Sequence, residues 1–250
     1  MKQLIALILL LPVIVASANV TSTIVSQAEN QFDAANKLYA ENKFVEAANA
    51  YESIATNSTV SPALYFNLGN ARFKAGQLGR AIAAYHSTSA LTPRDPDLLA
   101  NMRFARNQVQ GPTLRTSSWQ KGITTLTLNE WTWLCVAGVW MTFALLIARQ
   151  LKPALAVSLA NWTWLAVGIT TILCANLIVV FSQQAESNLV ITVADATIRT
   201  SPLDQAPSTF VAHDGAELRV LDTKNDWFQV TDGTTRIGWV KSEHAVLIGK

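Results

Sequence analysis

The side chains best suited to chemistry are few in this chain and lie far apart in sequence. The 250 residues include three histidines and two cysteines: His86, His213, His244, Cys135 and Cys174. Metal sites and nucleophilic centres need such residues at short, regular spacings or within recognisable loop motifs. No such spacing occurs here, and no motif for phosphate binding, serine hydrolysis or zinc proteolysis is present. The sequence therefore predicts a protein that binds rather than catalyses, with no metal and no other cofactor.

The composition is typical of a membrane protein, or of soluble domains joined to membrane segments. Half of the residues are apolar (50%), only 14% are charged, and the net charge is +2. Soluble domains carry about 25% charged residues, and disordered chains have fewer apolar side chains than this one. Two cysteines are too few for a disulfide-rich mini-domain. The nearly balanced charge argues against a nucleic-acid partner.

The first residues have the pattern of a secretory signal peptide. Lys2 is followed by the apolar run Leu4–Val15, which is too short to span a bilayer comfortably, and then by Ala16–Ser17–Ala18. This pattern predicts a signal peptide over residues 1–18, cleaved after Ala18. The alternative is an uncleaved anchor. Both interpretations carry the following segment across the membrane.

Two long apolar stretches, residues 128–148 and 155–181, predict a pair of transmembrane helices, because about 20 apolar residues span a bilayer as a helix. The connection between them contains Arg149 and Lys152 and no acidic residue. By the positive-inside rule, loop 149–154 is expected to be cytoplasmic. The flanking domains are then expected on the other side of the membrane, as the signal peptide also predicts.

Both cysteines lie inside these stretches. Cys135 belongs to the first and Cys174 to the second. Because lipid surrounds them, they are expected to be reduced packing residues rather than a redox pair. The predicted extramembrane domains contain no cysteine, so they need no oxidant to fold.

A sequence repeat with an offset of about 34 residues precedes the apolar stretches. Four positions of the first unit recur in the second, as Phe44, Ala47, Ala48 and Tyr51 followed by Leu78, Ala81, Ile82 and Tyr85. Asn36 likewise recurs as Asn70. Gly69 and Ala81 leave room for two helix backbones to pack closely, and Gly76 suits the turn between the helices. Ser61–Pro62 and Asp95–Pro96 each place a capping residue before a proline, which predicts two helix starts.

The second unit, with Leu64–Ala71, Gly76, Ala81, Tyr85 and Pro93, resembles the tetratricopeptide consensus. The resemblance implies a helical domain over residues 19–110, with two repeats and a capping helix from Pro96. It also implies a concave face that binds a protein segment, lined by the first helix of each repeat. Carried over by position, its residues are Asn36, Tyr39, Phe66, Asn70, Phe73 and Lys74. The alternative is that these are solvated helix residues without a ligand.

The segment 187–250 has a different pattern, with short β-branched runs separated by turn residues. Five strands are predicted, at Leu189–Val193, Leu218–Leu221, Trp227–Val230, Ile237–Val240 and Ala245–Ile248. Turn signals lie between them at Asp214–Gly215, Asn225–Asp226 and Asp232–Gly233. This pattern predicts a small all-β barrel. His213 and Asp214 are expected to form a simple surface pair.

The C-terminal segment resembles a bacterial SH3 domain. The matching stretches are Ala196–Pro202, Asp214–Leu218, Asn225–Val230 and Gly238–Val240. Thr197 stands where the family often has asparagine. The resemblance implies binding of peptides, often from the cell wall, through aromatic side chains. Trp227 is predicted to be such an aromatic platform, and Trp239 is expected in the core.

The order of the modules resembles the BatE-type tetratricopeptide membrane proteins of bacterial aerotolerance operons. The resemblance implies a multidomain, non-enzymatic scaffold of the bacterial inner membrane, with both soluble domains in the periplasm. The basic residues from Lys74 to Arg106 are expected either to be a solvated face or to approach the headgroups of membrane lipid. It implies as partners von Willebrand factor A-domain membrane proteins and a MoxR-type ATPase system. The alternative is a sensor or anchor that binds peptidoglycan through the SH3-like domain.

Overall fold

The computed structural model describes residues 27–57, 61–113, 122, 126–184 and 187–248. The signal-peptide prediction at residues 1–18 lies outside these ranges. The described chain divides into two compact units. The first contains the chain up to Gly111 together with Val190–Ala196 and Ala212–Ala216, and the second contains Pro112–Leu189, Thr197–Val211 and the chain from Glu217 onward.

Five helices form the N-terminal region. They are α1 (residues 27–40), α2 (Phe44–Asn57), α3 (Pro62–Lys74), α4 (Leu78–Leu91) and α5 (Pro96–Arg106). Both predicted helix starts are confirmed. Ser61 Oγ accepts the Leu64 N–H at 3.1 Å, and Asp95 Oδ1 accepts the N–H groups of Asp97 and Leu98 at 2.9 and 3.2 Å. The prolines that follow each cap fit the first helical turn because the missing N–H would have no partner there.

The helix pairs α1–α2 and α3–α4 are connected by equivalent turns, one repeat length apart. At the end of α3, Gly76 has a φ of 76°, and its N–H bonds to the Phe73 carbonyl at 3.0 Å. At the end of α1, Asn42 has a φ of 60° and bonds in the same way to Tyr39. Glycine and asparagine are the residues that tolerate this left-handed conformation best. The repeat seen in the sequence is thus repeated in backbone geometry.

Small residues let the paired helices approach each other closely. A Cβ placed on Gly69 would lie only 2.5 Å from the Tyr85 ring, so α3 and α4 pack at a distance that only glycine permits. In the preceding pair, Ala35, Ala47 and Ala48 are fully buried beside Tyr51. Each helix pair therefore has the same kind of core, in which a tyrosine ring packs against small residues.

Two long apolar helices follow, α6 (Leu128–Leu151) and α7 (Ala156–Gln184), joined by a short 3-10 turn at Pro153–Leu155. Thr127 and Glu130 form a capping box at the start of α6. Both helices are long and apolar enough to cross a membrane, with mean hydropathies of 1.8 and 2.2 in their most apolar windows. Each extends a few residues beyond the predicted span.

The C-terminal strands form one seven-stranded sheet in the order β3-β2-β6-β5-β4-β1-β7. The strands are β1 (Asn188–Ile191), β2 (Asp195–Arg199), β3 (Ser208–His213), β4 (Glu217–Lys224), β5 (Trp227–Thr231), β6 (Ile237–Lys241) and β7 (Ala245–Ile248). The pairs β2–β6, β4–β5 and β5–β6 are antiparallel. The predicted turns are also present, since Gly215, Asn225 and Gly233 all have positive φ.

The prediction of five strands was wrong, because β2 and β3 are two further ones. In β2 only Ala196 and Ile198 are buried. This alternation of buried and exposed side chains is short, and the stretch was identified only as a match to the SH3 family and not as a strand. In β3 only Ala212 is buried. An edge strand has one side without a neighbour, so it needs little apolar alternation and gives a weak sequence signal.

Within the first unit, a carboxylate from the β region caps helix α4. Residue Gln77 precedes α4 but provides no side-chain cap. Instead, Asp214 Oδ1 accepts the Gly79 N–H at 3.0 Å. Burial raises the pKa of Asp214, against the lowering effect of the N–H groups of Gly79, Leu78 and Gly215. Asp214 is therefore no simple surface residue, because its carboxylate substitutes for the missing local cap.

We expect Gly69→Leu to destabilise the helical region, because the new side chain must displace the Tyr85 ring. Overpacking of this kind costs about 1–3 kcal/mol. Thermal unfolding of a soluble fragment, residues 19–115, followed by circular dichroism, measures the effect. Ala63→Leu is the matched control, since Ala63 lies on the same helix with its side chain exposed. An equal melting temperature for Gly69→Leu and wild type would contradict the close packing of α3 and α4.

Asp214→Ala is expected to speed amide hydrogen exchange in the first turn of α4, because loss of a cap costs about 1 kcal/mol. Exchange in a peptide covering Gln77 to Ala81, measured by mass spectrometry on the full chain, reports this locally. Asp214→Asn keeps an acceptor oxygen and should retain most of the protection. Unchanged exchange in Asp214→Ala would show that the cap does not stabilise this helix.

Candidate binding surfaces

Two equivalent hydrogen-bond networks brace the first helices of the repeat. Asn36 Oδ1 accepts from Tyr51 Oη at 2.6 Å and from Asn67 Nδ2 at 3.3 Å. The second network lies one repeat further along the chain. There, Asn70 Oδ1 accepts from Tyr85 Oη at 2.8 Å and from Asn101 Nδ2 at 2.9 Å. Each asparagine therefore connects three successive helices.

Burial keeps the tyrosine hydroxyls in the form that these networks require. Burial raises the pKa of Tyr85 well above its ordinary value. It also raises the pKa of Tyr51, against the lowering effect of a hydrogen bond with Asn67. A phenol that stays neutral keeps its proton and can donate to the amide oxygen.

The structure thus gives Asn36 and Asn70 a bracing role that the sequence did not predict. Their side-chain oxygens already accept two hydrogen bonds each within the repeat. A side-chain amide has two further donor hydrogens, so a contact with a partner carbonyl stays compatible with these networks. The predicted partner-binding role of the two asparagines stays a prediction, and their replacement would disturb the fold as well.

The aromatic residues predicted for the concave face differ in their surroundings. Tyr39 packs edge-on against Phe44 with ring centroids 5.2 Å apart, and Phe66 lies 6.3 Å from Tyr85. These rings belong to the edge of the helical core. Both side chains are half-buried, so each ring has one aromatic contact within the repeat and keeps part of its surface exposed.

Phe73 instead packs against an aromatic residue that the sequence analysis missed. Its ring centroid lies 5.5 Å from that of Phe104, which is 59% exposed. Lys74 and Arg103, the chain neighbours of these two rings, are also exposed. We call Phe73, Lys74, Arg103 and Phe104 the α3–α5 patch. Phe104 follows Asn70, a residue predicted for the concave face, by one repeat length of 34 residues. This offset is the sequence signal that could have identified Phe104 as a further residue of that face.

A buried cation connects α3 with α2 and with the residue that precedes α4. Arg72 is 3% exposed, pairs with the Glu52 carboxylate, and donates to Gln77 Oε1 at 2.6 Å. The equivalent positions one repeat later are His86 and Arg106, whose side-chain nitrogens lie 2.9 Å apart. A buried guanidinium needs partners of this kind because an unpaired charge in the interior is costly.

In the β region Trp227 is buried and Trp239 is partly exposed, which is the reverse of what the sequence predicts. Trp227 is 9% exposed, and Lys241 Nζ lies 5.7 Å from the ring centroid. Trp239 is half-buried, whereas its neighbours Gly238 and Val240 are buried. Side chains alternate along a strand, so the burial of Gly238 and Val240 turns Trp239 to the other face. Trp239 is therefore the more accessible ring of the two.

The histidines and cysteines do not come together as a metal site in the described ranges. There, no group of three or more His, Cys, Asp or Glu side chains could hold a metal ion. His213 is an exposed residue whose Nδ1 lies 2.6 Å from Asp195 Oδ1. The prediction that the protein is not an enzyme stays a prediction.

Comparison with known proteins supports one module directly. Residues 194–245 match the family model described as Bacterial SH3 domain. This range contains β2 to β6, and it lies inside the predicted domain 187–250. Comparison with curated proteins finds no match, and neither does comparison with solved structures. The C-terminal module is thus similar to bacterial SH3 domains, a family suited to binding proteins or cell-wall peptides.

Proposed function

We propose that this protein is a non-enzymatic, membrane-anchored scaffold that binds a segment of another protein on the helical repeat. The observation that carries this proposal is the α3–α5 patch. Large aromatic side chains that stay exposed on a soluble surface are typical of contact sites. In this protein Phe104 is exposed next to Phe73, on helices that the asparagine networks hold in place.

The helical region is proposed to be a tetratricopeptide domain. The equivalent turns at Asn42 and Gly76 and the close contact between Gly69 and Tyr85 support this assignment. In such a domain the first helices present one shared surface to an extended ligand. The patch then favours a ligand with an apolar side chain for the two rings and an acidic group for Lys74 and Arg103.

The proposed cellular setting follows from the resemblance to the BatE-type proteins. The two apolar helices would anchor the chain in the bacterial inner membrane, with loop 149–154 in the cytoplasm and both soluble domains in the periplasm. Membrane proteins with von Willebrand factor A domains are the partners that fit this setting. Together with a MoxR-type ATPase system they would form a complex that acts in aerotolerance or another stress response.

A second candidate function is peptidoglycan binding through the C-terminal module. The family match at residues 194–245 favours it, because bacterial SH3 domains commonly bind peptidoglycan or proteins. The accessible ring of Trp239 would serve as the platform, since Trp227 is buried. In this case the helical repeat would be a spacer rather than the binding module.

Changing the α3–α5 patch should weaken partner binding without unfolding the repeat. The double variant Lys74→Gln/Phe104→Ala removes exposed groups only. We expect at least about tenfold less partner recovered with the tagged full chain from detergent-solubilised native membranes, which corresponds to roughly 1.4 kcal/mol. Quantitative mass spectrometry against wild type provides the measurement.

Arg80→Gln is the control for this experiment, because Arg80 is an exposed residue on α4 rather than on α3 or α5. Circular dichroism confirms that each variant is folded. If recovery is unchanged in the double variant but falls in a chain lacking residues 187–250, recognition belongs to the C-terminal module. Binding of that module to purified cell-wall sacculi would then favour the second candidate function.

Topology provides an independent prediction. An alkaline phosphatase reporter, which is active only in the periplasm, should be inactive when inserted in loop 149–154, because Arg149 and Lys152 retain that loop in the cytoplasm. Fusions after Gly111 or Lys250 should be active. An active reporter in the loop would exclude the proposed orientation.

A further inference from the structure

The two apolar helices touch at one close contact near the middle of α6. A Cβ placed on Gly138 would lie 2.8 Å from Thr170 Oγ1, and the hydroxyl oxygens of Thr142 and Thr170 are 3.4 Å apart. Helices that pack through larger side chains lie about 8–10 Å apart. A side chain larger than hydrogen at position 138 would therefore push Thr170 away.

About one helical turn away from this contact, each of the two helices carries a cysteine. Cys135 lies three residues before Gly138 on α6, and Cys174 lies four residues after Thr170 on α7. Because the helices are antiparallel, both steps run in the same direction, by about 4.5 and 6 Å along the axes. Residues three and four apart also share a helix face. The two cysteines thus face each other across the same seam.

The environment of the two thiols agrees with this geometry. Cys135 is buried, 6% exposed, and Cys174 is half-buried. Both thiols are free. The sequence alone places them far apart, in different apolar stretches. Only the register of the two helices brings them together.

We propose that Cys135 and Cys174 are an oxidation site that closes into a disulfide between the two helices. This inference rests on the proposed insertion of the helices into the membrane. The two helices that carry the pair are apolar along their length, so an oxidant that reaches it must dissolve in lipid. A quinone is the class of oxidant that fits this requirement.

The reaction balances without a further reagent. Each thiol loses one hydrogen, an S–S bond forms, and the quinone takes up two electrons and two protons to become a quinol. One sulfur, as the thiolate, adds to the quinone, and the second sulfur then attacks the first, so that the S–S bond forms as the bond from sulfur to the quinone breaks and the quinol leaves. Cys135 lies only about 10 Å along α6 from its start, seven residues after Leu128. At this depth a proton can leave toward the nearby headgroup region.

A cleavable loop tests the proposal on the full chain in native membrane vesicles. A specific protease site is inserted after Lys152, between the helices. Decylubiquinone is added, the loop is cleaved, and free thiols are blocked with N-ethylmaleimide. On a non-reducing gel most of the chain should migrate as one species, which dithiothreitol separates into two fragments. The intact, uncut wild-type chain should lose two hydrogens by mass spectrometry.

Cys135→Ser and Cys174→Ser are the matched controls, and each should give two fragments under all conditions. Complete cleavage with no cross-link in wild type, and no loss of hydrogens in the uncut chain, would overturn the oxidation site while leaving membrane anchoring intact. Release of the chain from vesicles by alkaline carbonate would instead contradict membrane insertion itself, and with it the inference.

Discussion

The helical region depends on the contact between the Tyr85 ring and the bare backbone of Gly69. Because no side chain separates them, α3 and α4 approach closely, and the Tyr85 hydroxyl reaches Asn70 at 2.8 Å. Asn70 in turn accepts from Asn101 on α5. One small residue thus determines the spacing of a helix pair and the position of the next helix. The exposed ring of Phe104 is held beside Phe73 as a consequence.

The first unit shows how a segment distant in sequence completes a local structure. Helix α4 begins without a capping side chain of its own, and the carboxylate of Asp214 supplies the missing acceptor. The approach also requires Gly79, since a Cβ there would collide with the Ile191 carbonyl oxygen. Burial raises the pKa of Asp214, so part of the gain from capping is offset by desolvation of the carboxylate.

In the proposed membrane, the two apolar helices would follow different packing rules from the helical repeat. In lipid, burial of apolar side chains gives no driving force between helices, so small residues and hydroxyl contacts determine where they touch. Gly138, Thr142 and Thr170 provide this contact. The same register places Cys135 opposite Cys174. A contact that packs the helices therefore also positions the only two thiols of the chain.

The sequence by itself determined most of the helices and strands and the caps and turns that bound them. The caps at Ser61 and Asp95, the turn at Gly76 and the long apolar helices follow from short-range chemistry, which acts within a few residues. The similarity of the C-terminal module to bacterial SH3 domains was also predictable, because its turns depend on local glycine and asparagine residues. The edge strand β3 was missed, since an edge strand needs little apolar alternation.

Only the tertiary structure decided which side chains meet. The oxygen atoms of Asn36 and Asn70 are used inside the repeat, Phe104 joins Phe73, and Trp239 rather than Trp227 is accessible. The cap from Asp214 to Gly79 spans 135 residues. Contacts of this kind depend on the register and distance between whole elements. Residue type and spacing along the chain do not contain that information, because many packings satisfy the same local pattern.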